Sequence, residues 1–145
     1  MIWAAIGGRI GSRPMRRRAF MRMILTAEEH RTLDLDALAQ TLSPLFGRDL
    51  ADQPRILIQQ AMSLGRHNIC QRLPELGDIP TLVLSGGEDV VASVTSGRAL
   101  AEAIPNAHYV EWEAAGHALP ILRAQELNKV LREHLQQAEA LWREP

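Results

Sequence analysis

Apolar residues recur at steps of three and four through the first half of the chain and then, from Thr81, gather into short continuous runs. The first pattern predicts helices and the second predicts buried strands. In RPMRRRAFMRMILTAEEH, Met15, Phe20, Met23 and Ile24 share a helical face, with arginines filling the rest of the surface. In DLDALAQTLSPLFG, Leu35, Leu38, Leu42 and Leu45 recur at helical steps, with Asp34 placed to cap the start, Gly47 to stop the end and Pro44 weakening the last turn. ADQPRILIQQAMSLG predicts a further helix, capped by Asp52, opened near Pro54 and closed by Gly65 as a left-handed terminator. Ile56, Leu57, Gln60, Ala61 and Leu64 share its face. RHNICQRLPELGDIP, interrupted by Pro74, Gly77 and Pro80, reads as a connector.

TLVLSGG is a short apolar run ending in small residues, the pattern of a strand buried on both faces of a parallel sheet. SVTSGRALAEAIP follows as a helix opened near Ser93 and ended by Pro105, and HYVEW gives a second strand. Strand, helix and strand within about 30 residues make a βαβ unit with a right-handed crossover. Leu127, Val130, Leu131 and Leu135 then mark a long amphipathic helix. The expected organisation is a helical region over 1–79 and a β-α-β-α segment over 80–145.

The chain has 145 residues, of which 46% are hydrophobic and 23% charged, with a formal net charge of -1. That is enough for one core and gives no reason to expect a nucleic-acid or membrane partner. The charge is unevenly placed, because every acidic residue lies at or beyond Glu28 while Arg9, Arg13, Arg16, Arg17, Arg18 and Arg22 precede it. Without interleaved aromatics the arginine run reads as a solvated helix face. Cys70 is the single cysteine, which fits a reducing compartment and a cytoplasmic location. His30, His67, His108 and His134 are scattered without metal-ligand spacing, so neither a metal nor another cofactor is expected. Trp3, Trp112 and Trp142 are expected to pack.

In a parallel sheet, functional residues collect beyond the carboxyl ends of the strands. Titratable residues stand there, among them Asp89, after the first strand in LVLSGGEDVV, and His117, after the second in VEWEAAGHALP. Adjacent parallel strands bring both loops to the same edge, so the carboxylate can fix the tautomer of the imidazole.

IPTLVLSGGEDVV, GRALAEAIPNAHYVEWEAAGHALP and the final helix resemble the C-terminal part of an α/β-hydrolase, with G-x-x-D from Gly86 to Asp89 and G-H at Gly116-His117. The helices before them are similar to the cap helices that many members insert. The resemblance implies an α/β fold made of the C-terminal portion of that architecture preceded by cap-like helices. It makes Asp89 and His117 the catalytic acid and histidine of a Ser-His-Asp hydrolase acting on a small ester, lactone or related substrate.

The chain also departs from the family pattern. The G-x-S-x-G elbow that precedes the acid in chain order is missing: Ser12, Ser43, Ser63 and Ser85 do not follow a buried strand with small residues on either side. Val91, Ala92 and Ser93 stand where the family often has a proline. The resemblance therefore implies a truncated hydrolase, inactive alone, whose small-molecule substrate binds once the remainder is supplied. The alternative is a non-catalytic binding module derived from the same fold. Two strands alone would leave an open sheet edge through which the chain is expected to self-associate.

Overall fold

Pro14 lies in the first turn of a helix, where its missing N–H breaks no bond, and α1 spans Arg13–Ile24. The computed structural model describes residues 11–143 except 53 and 55, together with the backbone but not the side chain of Ile58. Trp3 and Arg9 lie outside the described residues. The described residues fall into two compact units, divided between Asn68 and Ile69.

In the first unit, the stretch expected as one helix is two. α1 stops at Leu25, and Thr26 opens α2, Ala27–Thr32, with a capping box. The Thr26 Oγ1 accepts the Glu29 N–H at 3.1 Å and the Glu29 Oε2 accepts the Thr26 N–H at 2.8 Å. Two donors that a helix start leaves unpaired are thereby satisfied. Thr26 is buried, so Thr26→Ala is expected to cost about 1 kcal/mol in urea denaturation, and an unchanged midpoint would refute the cap's contribution.

α3 spans Leu35–Phe46, with Asp34 accepting from the Asp36 and Ala37 N–H groups and Gly47 left-handed at φ 64°. Pro44 does not shorten it. The carbonyl that Pro44 leaves unpaired is that of exposed Gln40, where water can replace the lost bond. Met21, Ile24, Leu25, Ala39 and Leu42 are buried, and Phe20 meets Phe46 edge to face at 5.6 Å. Met15, expected on the packed face of α1, is exposed.

The arginine run is not a purely solvated face. Arg13 donates to Asp49 at 3.0 Å and Asp52 at 2.9 Å, while Arg17 grips Asp49 through both Nε and Nη2. Arg16 donates to the carbonyls of Ala51 at 3.0 Å and Gly11 at 2.7 Å. The Arg17 guanidinium, the Ala51 N–H and Arg13 hold the Asp49 carboxyl far below the usual carboxylate range. These arginines staple the loop after α3 to α1.

α4 spans Ile56–Leu64. Asp52 Oδ2 accepts from Arg13, and Gly65 is not left-handed; among the described residues the positive-φ glycines are Gly11 and Gly47. The α4 end instead continues one turn, with the Gly65 N–H donating to Ala61 at 3.1 Å.

In the second unit, a 3₁₀ helix at Cys70–Leu76 buries Leu73 where a plain connector was expected. β1, Leu82–Gly86, pairs in parallel with β2, His108–Trp112, in register from Leu82 with His108 to Gly86 with Trp112. Between them runs α5, Val94–Ala103, opened by Ser93, whose hydroxyl accepts the Ser96 N–H at 3.3 Å. α5 lies directly on β1: a β-carbon built on Gly97 would sit 3.3 Å from Ser85 Cβ and closer still to its hydroxyl oxygen. The short α6, Leu119–Leu122, and the long α7, Ala124–Arg143, complete the unit. Trp142, expected to pack, is 75% exposed at the end of α7. No helix among the described residues is long and apolar enough to cross a membrane.

Candidate active site

Both strands end at the same edge of the sheet, and the loops that leave them are joined by their backbones. The Gly87 N–H donates to the Trp112 carbonyl at 2.8 Å and the Glu88 N–H to the Ala115 carbonyl at 3.0 Å. This closeness explains the glycine pair. A β-carbon on Gly86 would lie 3.0 Å from the Ala115 carbonyl carbon, and one on Gly87 would lie 2.9 Å from Glu113 Cα, with the carbonyl oxygens nearer still. Only a residue without a side chain lets the two loops meet.

Asp89 divides its carboxylate between two tasks. Oδ1 accepts the N–H groups of Val91 at 2.7 Å and Ala92 at 2.8 Å, which fixes the side chain to its own loop. A proline at either position could not donate this bond, so the absence of the family's frequent proline is matched by two amides that hold the acid. Oδ2 faces His117 Nδ1 at 2.8 Å. Burial pushes the Asp89 carboxyl up, but the Ala92 N–H, the His117 ring and the Val91 N–H together draw it below the ordinary carboxylate value. An ionised carboxylate only accepts hydrogen bonds, so Nδ1 carries the proton, and in the neutral ring that leaves Nε2 with its lone pair.

His117 is held from both sides by buried neighbours, Ala115 and Gly116 before it and Ala118 and Leu119 after it. Its side chain remains 42% exposed against 9% for Asp89. The arrangement is an oriented base, its carboxylate covered and its second nitrogen open.

The structure brings together the two residues that the sequence singled out and adds the Val91 and Ala92 amides and the Gly86-Gly87 pair. The glycines were visible as a motif, although their contact with the loop after β2 was not. Among the described residues no hydrogen bond joins His117 Nε2 to a serine. Ser85 is 7% exposed beneath Gly97 of α5, on the sheet face, and Ser63 lies within α4 rather than at a strand-to-helix turn. No three His, Cys, Asp or Glu side chains among the described residues gather as metal ligands.

Residues 43–140 match the family described as TAP-like protein, which decides the relationship that the acid, the histidine and their parallel strands indicate. The chain belongs to the α/β-hydrolase fold family. This hydrolase-family chain is 29% identical over 97 residues to a Klebsiella pneumoniae protein named as the carbamate hydrolase RutD, covering 57% of this chain and 36% of that one. It also resembles the solved structure of Est816, an N-acyl homoserine lactone degrading enzyme, with a TM-score of 0.62 and 24% identity over 90% of this chain and 50% of that one. At that identity the second likeness speaks for the fold alone. The chain thus spans between a third and a half of the length of these relatives.

Proposed function

We propose that this chain carries the acid and base of a Ser-His-Asp hydrolase for a small ester, lactone or carbamate. The observation that supports it is the 2.8 Å contact between Asp89 Oδ2 and His117 Nδ1 at the carboxyl edge of two parallel strands. In this reading His117 Nε2 takes the proton of a serine hydroxyl as it attacks the substrate carbonyl, then returns it to the leaving group. Asp89 holds the ring and stabilises the imidazolium between those steps. The serine and the donors for the oxyanion come from polypeptide beyond these 145 residues, and the single cysteine suits work in the cytoplasm. Among the described residues β1 has no strand on the side away from β2, which leaves that edge for a further strand, from that remainder or from a second copy.

The test joins this chain to the half of the lactone-degrading enzyme that it does not match. The joined protein is expected to react with a fluorophosphonate and to turn over 4-nitrophenyl butyrate, whereas the 145-residue chain does neither. A joined protein that folds and stays inert would favour the non-catalytic module.

A further inference from the structure

On the face of the sheet that α5 covers, helix and strand are joined by an ion pair. Arg98, in the second turn of α5, grips Glu111 of β2 through both carboxylate oxygens, Nε to Oε2 at 3.0 Å and Nη2 to Oε1 at 3.0 Å. The Tyr109 hydroxyl donates to the same Oε2 at 2.9 Å. We propose that Arg98 and Glu111 are positioning residues for the Asp89–His117 pair, bracing the helix that follows the acid's loop against the strand that leads to the base. Their role rests on the hydrolase reading above and adds a second pair of residues on which the geometry of the first depends.

The path from this ion pair to the site is short at both ends. Asp89 Oδ1 hangs on the Val91 and Ala92 N–H groups, Ser93 then caps α5, and the Gly97 N–H closes on the Ser93 carbonyl at 3.1 Å. A shift of Arg98 is therefore passed to the amides that hold the acid. On the other side Glu111 precedes Trp112, whose carbonyl takes the Gly87 N–H, and the chain then runs directly to His117. The ladder fixes β1 against β2, but it does not set where α5 lies along them. Apolar contact beneath a helix is non-directional, whereas a two-point guanidinium–carboxylate contact fixes angle as well as distance. Exposed ion pairs usually contribute little. This one is two-pronged, has a third partner in Tyr109, and its carboxylate is only 19% exposed. Arg98, and then Tyr109, draw the Glu111 carboxyl below its ordinary value, so the brace stays charged into mildly acidic solution.

The experiment has two arms. In the 145-residue chain, the far-downfield proton resonance of His117 Nδ1 reports its bond to Asp89. Arg98→Leu and Glu111→Gln are expected to broaden or remove it while the far-ultraviolet circular dichroism persists. Arg98→Lys, a mild change at an exposed helix position that keeps the charge and loses the fork, should broaden it too, so a folding failure in the bolder variants would not hide the effect. Arg72→Leu, which removes an equally two-pronged but local contact with Glu75, should leave it unchanged. In the joined hydrolase, Arg98→Leu and Glu111→Gln should each lower kcat about 10- to 100-fold with KM nearly unchanged, and the double variant should be no worse than either single one. A resonance that survives in all three brace variants, an equal loss in Arg72→Leu, or losses that multiply in the double variant would each overturn the proposal. If the joined protein folds and stays inert, the hydrolase reading fails and the resonance alone decides the brace. If it turns over substrate with full kcat in both variants, the brace fails and the reading stands.

Discussion

Asp89→Asn, made in the joined hydrolase, is expected to lower kcat about 10⁴-fold while leaving KM for the nitrophenyl ester nearly unchanged. The reason lies in how the carboxylate is shared. Its Oδ1 is fixed by the Val91 and Ala92 N–H groups, which need an acceptor, so the oxygen of an asparagine would take that place. The NH₂ group would then face His117 and donate to Nδ1, moving the ring proton to Nε2. A ring protonated there cannot accept a proton from the nucleophile. A loss of less than about ten-fold would show that Asp89 does not set the tautomer.

The same substitution changes acid stability in a defined direction. Folded Asp89 is held below its ordinary value of about 3.9, so its ionised form stabilises the fold above that pH, and this contribution is lost as pH falls through the lowered folded value. Melting of the 145-residue chain between about pH 5 and pH 2 should therefore fall more steeply in the natural sequence than in Asp89→Asn. Parallel curves would contradict the depressed carboxyl.

Gly87→Ala should remove about 2 kcal/mol of stability and separate the acid from the base. The added methyl group would enter the backbone of Glu113, and the loops could relieve the overlap only by moving apart. That motion breaks the Gly87 to Trp112 bond and carries Asp89 away from the ring. The far-downfield resonance of the His117 Nδ1 proton should vanish in the variant while the far-ultraviolet circular dichroism persists. Retention of that resonance would show that the loops accommodate a side chain here.

The second unit was the more legible part of the sequence, and the reason is local. TLVLSGG and HYVEW are short apolar or alternating runs bounded by glycine, proline or asparagine, so period and punctuation agreed on where strands begin and stop. Strand direction placed Asp89 and His117 at one edge, because parallel neighbours must discharge their loops together, and the G-x-x-D and G-H motifs singled them out from Glu88 and Glu113. The first unit was harder. Helical spacing ran unbroken through Leu25 and Thr26, and the break was written instead in the Thr26 and Glu29 capping pair, a signal present in the sequence but overshadowed by periodicity. The arginines could not be read correctly from their own neighbourhood, since Asp49 and Asp52 stand more than thirty residues away. Asp52, read from its neighbours alone as a helix cap, also takes the distant Arg13.

The ladder between β1 and β2 keeps a constant offset of 26 residues, 108 − 82, so no rung of it is short in sequence. A hairpin could zip from its turn, but these strands must close a long loop before their first bond forms. Asp89 and His117 belong to the same closure. The acid–base pair therefore cannot be assembled ahead of the sheet or outlive its opening, and amide exchange at Val83 should report, in time, on the birth and loss of the site as well as of the strand.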